Sequence, residues 1–187
     1  MHRTKLLGHG VIVLAALVLL SQSASAALAP GETDELTGQA APDFVVETVT
    51  GQTVGLKGYQ GHPVLLNFFA SWCPPCRAEI ADLIELQKQY GSSGLSLIGA
   101  AADAALIPET SKKQEHDDVV ALVKRLRISY PITIAHDELL QSYHFKGIPT
   151  IVFITRAGKI AKVFYGYHSA AQIEPVIRQL FSEPQAP

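Results

Sequence analysis

Short apolar stretches alternate with longer amphipathic ones along most of this chain, and the alternation predicts strands and helices in turn. Residues 64–69 form an apolar run rich in branched and aromatic side chains, short enough to be a buried strand. Residues 75–90 follow with apolar positions on one broad side, which is typical of an amphipathic helix. The other predicted elements are a hairpin within 43–56, strands over 95–101, 131–135, 150–154 and 160–165, and helices over 137–145 and 170–181. Their order predicts an α/β domain in which helices flank a central mixed sheet.

Residues 103–118 interrupt this alternation because they are polar, irregular and contain Pro108. We interpret them as a central insertion, either a solvated connection or a loop that selects substrates. Asp117 or Asp118, just before an apolar stretch, is predicted to cap a helix there. His136 and His144 have no companion ligands at metal spacing, so no metal site is predicted.

The first 26 residues have the pattern of a secretory signal peptide. A basic start precedes an apolar stretch that is densest over 11–20, and Ala24-Ser25-Ala26 is a small-x-small cleavage motif. As a helix, residues 11–20 would span about 15 Å, about half of a hydrocarbon core, so cleavage is favoured over spanning. An uncleaved membrane anchor over residues 6–28 is the alternative.

Export assigns the rest of the chain to a cell envelope, most simply an oxidising bacterial periplasm. Without the leader, 13 basic residues face 17 acidic ones, a net charge of −4 that gives no basis for nucleic-acid binding. Small, turn-prone residues over 27–37 predict a linker, and 182–187 predict a frayed tail. Residues 38–181 between them suit one domain with a substantial core.

Cys73 and Cys76 are the only cysteines in the sequence, and they stand where the predicted strand passes into the predicted helix. Closing so short a loop stabilises a fold very little, so a disulfide here points to chemistry. Unpaired amides and the macrodipole at a helix N-terminus favour a thiolate, which makes Cys73 the predicted nucleophile. Pro74 and Pro75 are tolerated in a first helical turn. Cys76, one turn into the helix, is the predicted resolving thiol.

Polar and aromatic residues around the cysteines extend the candidate site. Glu79 lies three residues beyond Cys76 on the same helical face, where a partly buried carboxylate can exchange that thiol's proton. The alternative is a solvated helix glutamate. Asn67, in the preceding strand, is interpreted as structural, with an amide that satisfies local hydrogen bonds. Trp72 is predicted to lie on the rim of the site, and Tyr165 is either a rim aromatic or a packing residue.

Three motifs carry a resemblance to a known family. They are NFFASWCPPCRAE over residues 67–79, APDF over 41–44 and KGIPT over 146–150. In this order and spacing they resemble the TlpA/ResA/CcmG-type thioredoxin-like proteins, and the likeness covers about residues 37–181. The resemblance implies a thioredoxin fold with Cys73 as nucleophile, Cys76 as resolving thiol and Glu79 as the acidic residue that helps the pair titrate.

The resemblance also bears on Pro149. Only about 5–6% of X–Pro bonds in folded proteins are cis, which by itself favours a trans bond. In thioredoxin-like proteins the proline at this position is cis and faces the cysteine pair, which leaves the backbone of Ile148 free to pair with an extended substrate. Trp72, Pro74, Pro75, Ile148 and Pro149 are therefore the predicted substrate-binding residues.

The activity implied is thiol–disulfide exchange, and the resemblance favours the reducing direction. It implies disulfide-containing cell-envelope proteins as substrates, with apocytochrome c during haem attachment as the favoured example. A membrane thiol-disulfide transporter is the implied electron donor. The exchange itself needs no metal or organic cofactor.

Three other classes of function are considered. A peroxiredoxin-like peroxidase, with an antioxidant role, shares the fold and the APDF-type segment, but it expects threonine where Ala70 stands. A copper-handling module of the related type carries C-x-x-x-C, whereas this chain carries C-x-x-C. A non-catalytic interaction domain would keep its function without Cys73.

Overall fold

The computed structural model describes residues 34–183 of the chain. The predicted signal peptide, residues 27–33 of the predicted linker and the last four residues lie outside the described part. Among the helices of the described part, none combines the length and the apolar character that crossing a membrane requires.

Strands and helices alternate along the described residues. The strands are β1 (Val45–Glu47), β2 (Thr53–Gly55), β3 (Val64–Phe69), β4 (Ser96–Ala101), β5 (Ile132–Ile134), β6 (Thr150–Ile154) and β7 (Ile160–Tyr165). The helices are α1 (Pro74–Tyr90), α2 (Asp103–Leu106), α3 (Lys112–Leu126), α4 (Asp137–Ser142) and α5 (Ala170–Ser182). The predicted strands are confirmed, with bounds that agree to within a few residues.

Five strands form one mixed sheet in the order β5-β4-β3-β6-β7. The central strand β3 runs parallel to β4 and antiparallel to β6, while β5 and β7 form the edges. All six residues of β3 are buried because both faces of the sheet are covered. The short strands β1 and β2 pair as a separate antiparallel hairpin. This architecture confirms the predicted α/β class and thioredoxin fold.

Alternate residues of β3 divide the interior into two cores. Leu65 and Phe69 lie in the core that includes buried residues of α1, α3 and α5. Leu66 and Phe68 lie in the opposite core, which is covered by α4 and by the N-terminal hairpin segment. Successive residues of β3 point to opposite faces of the sheet. The long helix that carries the cysteines therefore packs on one face only, the face of Leu65 and Phe69.

Residues 34–37, which fall within the predicted linker, are packed against the domain. Leu36 is buried in the second core. The backbone N–H of Gly38 donates to the carbonyl of Ile160 at 2.8 Å, and the carboxylate of Asp34 accepts from Lys146 at 3.2 Å. The packed structure therefore begins a few residues before the predicted domain start at residue 38.

The central insertion contains more helix than predicted. Helix α3 begins at Lys112, and the hydroxyl of Ser111 caps it by accepting from the N–H of Gln114 at 3.1 Å. The prediction that Asp117 or Asp118 caps this helix is wrong, because both lie inside it. The first turn of α3 is polar, so the apolar periodicity that marks a helix in sequence appears only after the helix has started.

Candidate active site

The sulfur of Cys73 lies at the N-terminus of the central helix. Strand β3 ends at Phe69 and α1 begins at Pro74, so Cys73 takes the N-cap position. Its sulfur accepts a hydrogen bond from the backbone N–H of Cys76 at 3.2 Å and forms a disulfide with the sulfur of that residue. Amides of a first helical turn lack intrahelical acceptors, so this position stabilises a thiolate.

Exposure distinguishes the two sulfurs. Cys73 is 5% exposed, whereas Cys76 is fully buried in the core beneath α1. Pro74 and Pro75 occupy the first two positions of the helix, where no intrahelical donor is required of them. Of the two cysteines only Cys73 keeps any exposure to solvent, so a target disulfide from another molecule can meet Cys73 and not Cys76.

The segment that carries Pro149 meets the same end of the sheet. Phe68 near the end of β3 pairs with Thr150 at the start of β6, so Pro149 lies beside the strand end that leads into the cysteine loop. The Ile148–Pro149 peptide bond is cis, which confirms what the resemblance implied. Among the described residues, no backbone hydrogen bond involves Ile148.

Glu79 is fully buried on α1, one turn beyond Cys76. Its Oε1 accepts from the side-chain amide of Asn67 at 3.0 Å, and its Oε2 accepts from the backbone N–H of His168 at 3.0 Å. Burial raises the pKa of Glu79 to about 7, and the negative charge of Asp82 acts in the same direction, while the two hydrogen bonds oppose the rise. The alternative of a solvated glutamate is therefore wrong.

A carboxyl with a pKa near neutrality can take and return a proton at physiological pH. Glu79 and Cys76 are spaced by one helical turn and are both shielded from solvent. The arrangement suits proton exchange between this carboxylate and the thiol of Cys76. Within residues 34–183, no group of three or more His, Cys, Asp or Glu side chains is placed to hold a metal ion.

Asn67 has a larger part in the site than predicted. Its amide bonds a residue twelve positions away and not a local group, so the interpretation of local hydrogen bonding is wrong. The sequence did contain a signal: Asn67 is the one polar residue in an otherwise apolar buried strand. A buried amide in such a strand requires a polar partner from another element.

A second polar group holds the loop that precedes Cys73. Both carboxylate oxygens of buried Asp103, at the start of α2, accept from the backbone N–H of Ser71 at 3.0 Å. The hydroxyl of Ser71 donates to the same carboxylate, and the carbonyl of Ser71 accepts from Arg77 Nε at 2.9 Å. The loop is thus fixed from both α2 and α1. Asp103 was not predicted as a site residue, because residues 103–118 show no regular pattern in the sequence.

We expect Asp103→Ala to reduce the free energy of unfolding by about 1–3 kcal/mol, because it leaves two buried donors of Ser71 without an acceptor. Asp118→Ala, an exposed aspartate on α3, is the matched control and should change stability by less than about 0.5 kcal/mol. Urea denaturation of the oxidised proteins measures both. Equal effects of the two substitutions would show that the Ser71–Asp103 contact does not hold the loop.

Exposed aromatic side chains surround the site. Trp72, next to Cys73, is 43% exposed, as a rim residue would be. Tyr165 is exposed too, and its hydroxyl donates to Asp34. Tyr167, which the sequence analysis did not single out, is also exposed, and its hydroxyl donates to Asp82 at 3.2 Å. Both tyrosines have hydrogen-bonded hydroxyls and solvent-accessible rings.

The fold and the site agree with comparisons to known proteins. Residues 37–163 match the model of the AhpC/TSA family, and the chain belongs to this family. It is 29% identical over 144 residues to the thiol-disulfide oxidoreductase ResA of Bacillus thuringiensis subsp. konkukian, covering 76% of this chain and 78% of that protein. It is 32% identical over 137 residues to the thioredoxin-like protein YneN of Bacillus subtilis, covering 73% and 76%.

A solved structure shows the same likeness. The thiol:disulfide interchange protein of the thioredoxin family from Chlorobium tepidum TLS superposes with a TM-score of 0.68 at 29% identity, covering 80% of this chain and 99% of that one. These relatives confirm the resemblance to TlpA/ResA/CcmG-type proteins. They also confirm the predicted enzyme class, a thiol-disulfide oxidoreductase with a Cys73/Cys76 pair.

Proposed function

We propose that this chain is an exported oxidoreductase that reduces disulfides of cell-envelope proteins. The observation that carries the proposal is the placement of Cys73 at the N-cap of α1, one turn above the fully buried Cys76 and two turns above the buried Glu79. This order supplies an accessible nucleophile, a shielded resolving thiol and a proton acceptor along one helix.

The reaction begins when the Cys73 thiolate attacks one sulfur of the target disulfide and the other sulfur leaves as a thiolate. Glu79 in its ionised form then takes the proton of Cys76. The Cys76 thiolate attacks the sulfur of Cys73, which breaks the mixed disulfide and releases the second target thiolate. Two electrons pass to the target, the Cys73–Cys76 disulfide forms, and both released thiolates are protonated from solvent.

The substrate is an extended segment of another protein on either side of its disulfide. Ile148, whose backbone is free of backbone partners among the described residues, offers the N–H and C=O that such a segment can pair with. Pro149 lies beside it at the same sheet end. Trp72 and the first-turn prolines of α1 supply apolar surface next to the nucleophile.

The proposed export is supported by the N-terminal segment. The need for an electron source comes from the oxidising compartment. The basic and apolar N-terminal segment with its small-x-small motif supports delivery to the periplasm, with a membrane tether if the segment is retained. A dithiol that works as a reductant in an oxidising compartment needs electrons from elsewhere. A membrane thiol-disulfide transporter is the donor we propose, and apocytochrome c is the substrate that the family resemblance favours.

The test is to mix the reduced protein with an excess of apocytochrome c that carries an internal disulfide. We expect one target disulfide to be reduced for each Cys73–Cys76 disulfide formed, as counted by alkylation and mass spectrometry. A parallel reaction with hydrogen peroxide distinguishes a peroxidase from a protein disulfide reductase. Oxidation by peroxide without transfer to the protein disulfide would overturn the proposal.

A further inference from the structure

Two buried polar atoms beside Glu79 have no part in the reaction described above. Among the described residues, Asn67 Oδ1 and the Tyr130 hydroxyl are two of three buried side-chain atoms that lack a hydrogen-bond partner. Asn67 is 1% exposed and Tyr130 is 6% exposed. Leaving such groups unpaired costs folding free energy, so buried polar atoms are nearly always satisfied by protein or by water.

The orientation of the Asn67 amide shows where its oxygen lies. The amide nitrogen donates to Glu79 Oε1 at 3.0 Å and lies 3.4 Å from the carbonyl oxygen of Thr150, on strand β6. The oxygen is on the other arm of the planar amide, on the side away from the Thr150 carbonyl, and β4 is the neighbour of β3 on the side opposite β6. The residue of β4 in register with Asn67 is Gly99.

The ring of Tyr130 lies near this glycine, although Ile132 Cδ1 and Phe69 Cε1 lie nearer. A Cβ atom on Gly99 would lie 3.4 Å from Cε2 of the Tyr130 ring. The backbone N–H of Gly99 also donates to the carbonyl of Pro131 at 2.9 Å, which fixes the residue next to Tyr130 just before β5 begins. Burial raises the pKa of Tyr130 above its usual value, and the negative charge of Glu79 raises it further, so the two groups are close enough to interact.

We propose that Tyr130 is a positioning residue for the thiol–disulfide reaction: its hydroxyl donates through one bridging water to Asn67 Oδ1 and keeps the Asn67 NH₂ group turned toward Glu79. A polar pair too far apart for direct contact is commonly joined in this way. The inference rests on the proposed role of Glu79 as the proton acceptor of Cys76.

The orientation of the amide matters because its two ends favour different forms of Glu79. An NH₂ group that faces Glu79 donates to the carboxylate and stabilises the ionised form. A reversed amide would present its oxygen, which accepts the proton of the neutral acid and stabilises that form. By holding Oδ1, Tyr130 keeps more of Glu79 ionised at neutral pH, where the proton of Cys76 must be taken.

Other groups also face Glu79, and Tyr130→Phe leaves them in place. Asp82 on α1 and the hydroxyl of Tyr167 are close enough to interact with its charge, and His168 contributes its backbone N–H. Cys76 lies one turn away on α1. The phenylalanine keeps the ring over Gly99, so the substitution removes only the hydroxyl.

The test follows the Glu79 carboxyl by ¹³C NMR across pH in the oxidised protein, where the cysteines do not titrate. We expect Tyr130→Phe to raise the titration midpoint of Glu79 by about half a pH unit, a threefold decrease in its acid dissociation constant. In the reduced protein, the rate at which Cys76 resolves a mixed disulfide at pH 6.5 should fall about threefold, because less Glu79 is ionised.

Tyr143→Phe is the matched control. Its hydroxyl is also buried, but it donates to the carbonyl of Pro42 at 2.7 Å in the opposite core. This variant should lose stability and leave the Glu79 midpoint unchanged. An unchanged Glu79 midpoint in Tyr130→Phe would overturn the inference, whatever the stability of the variant. Because the midpoint is measured without turnover, this failure differs from a wild-type protein that performs no exchange at all.

Discussion

Cys73→Ser is expected to reduce the rate of disulfide reduction by about 10³-fold or more, because it removes the only sulfur that a target can reach. Cys76 is fully buried and cannot take over the attack. The serine hydroxyl can occupy the same N-cap position, so the fold should persist. The rate of reduction of a protein disulfide by the variant, compared with the wild type, measures the effect.

Cys76→Ser is the informative partner of this variant. It keeps the nucleophile and removes the resolving thiol, so a mixed disulfide through Cys73 should accumulate. Non-reducing electrophoresis and mass spectrometry identify the captured protein and the linked residue. The variant that combines Cys73→Ser with Cys76→Ser is the control, and it should form no mixed disulfide with another protein. Retention of full activity by Cys73→Ser would favour a non-catalytic role for the domain.

Glu79→Gln is expected to slow resolution of the mixed disulfide by about 10²-fold at pH 7, because the amide cannot take the proton of Cys76. The wild-type rate should rise with pH around the Glu79 pKa of about 7, and the variant should lack this rise. Glu85→Gln, an exposed glutamate on the same helix, is the control. A wild-type pH profile retained in Glu79→Gln would assign the titration to another group.

The same substitution should stabilise the protein at alkaline pH. The pKa of Glu79 rises on folding from 4.5 to about 7, so between these values the folded state binds more protons than the unfolded state. The free energy of unfolding therefore falls as pH rises through this window, by up to about 3 kcal/mol above pH 7. Glu79→Gln removes this loss, since the amide stays neutral.

Urea denaturation at pH 5 and pH 8 tests this expectation. Between pH 5 and pH 8, the free energy of unfolding should fall further in the wild type than in Glu79→Gln. Glu85→Gln should behave like the wild type, because its side chain is solvated in both states. Equal pH dependence in the wild type and Glu79→Gln would show that the carboxyl is not desolvated by folding.

Features that depend on neighbouring residues could be predicted from the sequence. The bounds of β3, β6 and β7 and the placement of Cys73 before the first turn of α1 were predicted from apolar runs and proline positions. The cis bond before Pro149 came from the family resemblance, since base rates alone favoured trans.

Patterns along the sequence could not predict contacts between distant segments. Spacing placed Glu79 on the face of Cys76, but its burial depends on Asn67 and His168, which approach from other elements. The Ser71–Asp103 contact joins residues 32 positions apart. Polar residues give no periodic signal that reports such pairs, because each is buried only through the partner it finds in the folded chain.

The most direct test of the account is the redox equilibrium of the Cys73/Cys76 pair in buffers of defined thiol–disulfide ratio. We expect a single reversible two-electron transition, with a reduction potential near the thioredoxin value of about −270 mV, as a reductant requires. A potential near about −120 mV would reverse the proposed direction of electron flow. Absence of any interconversion between the dithiol and the disulfide would contradict the central claim.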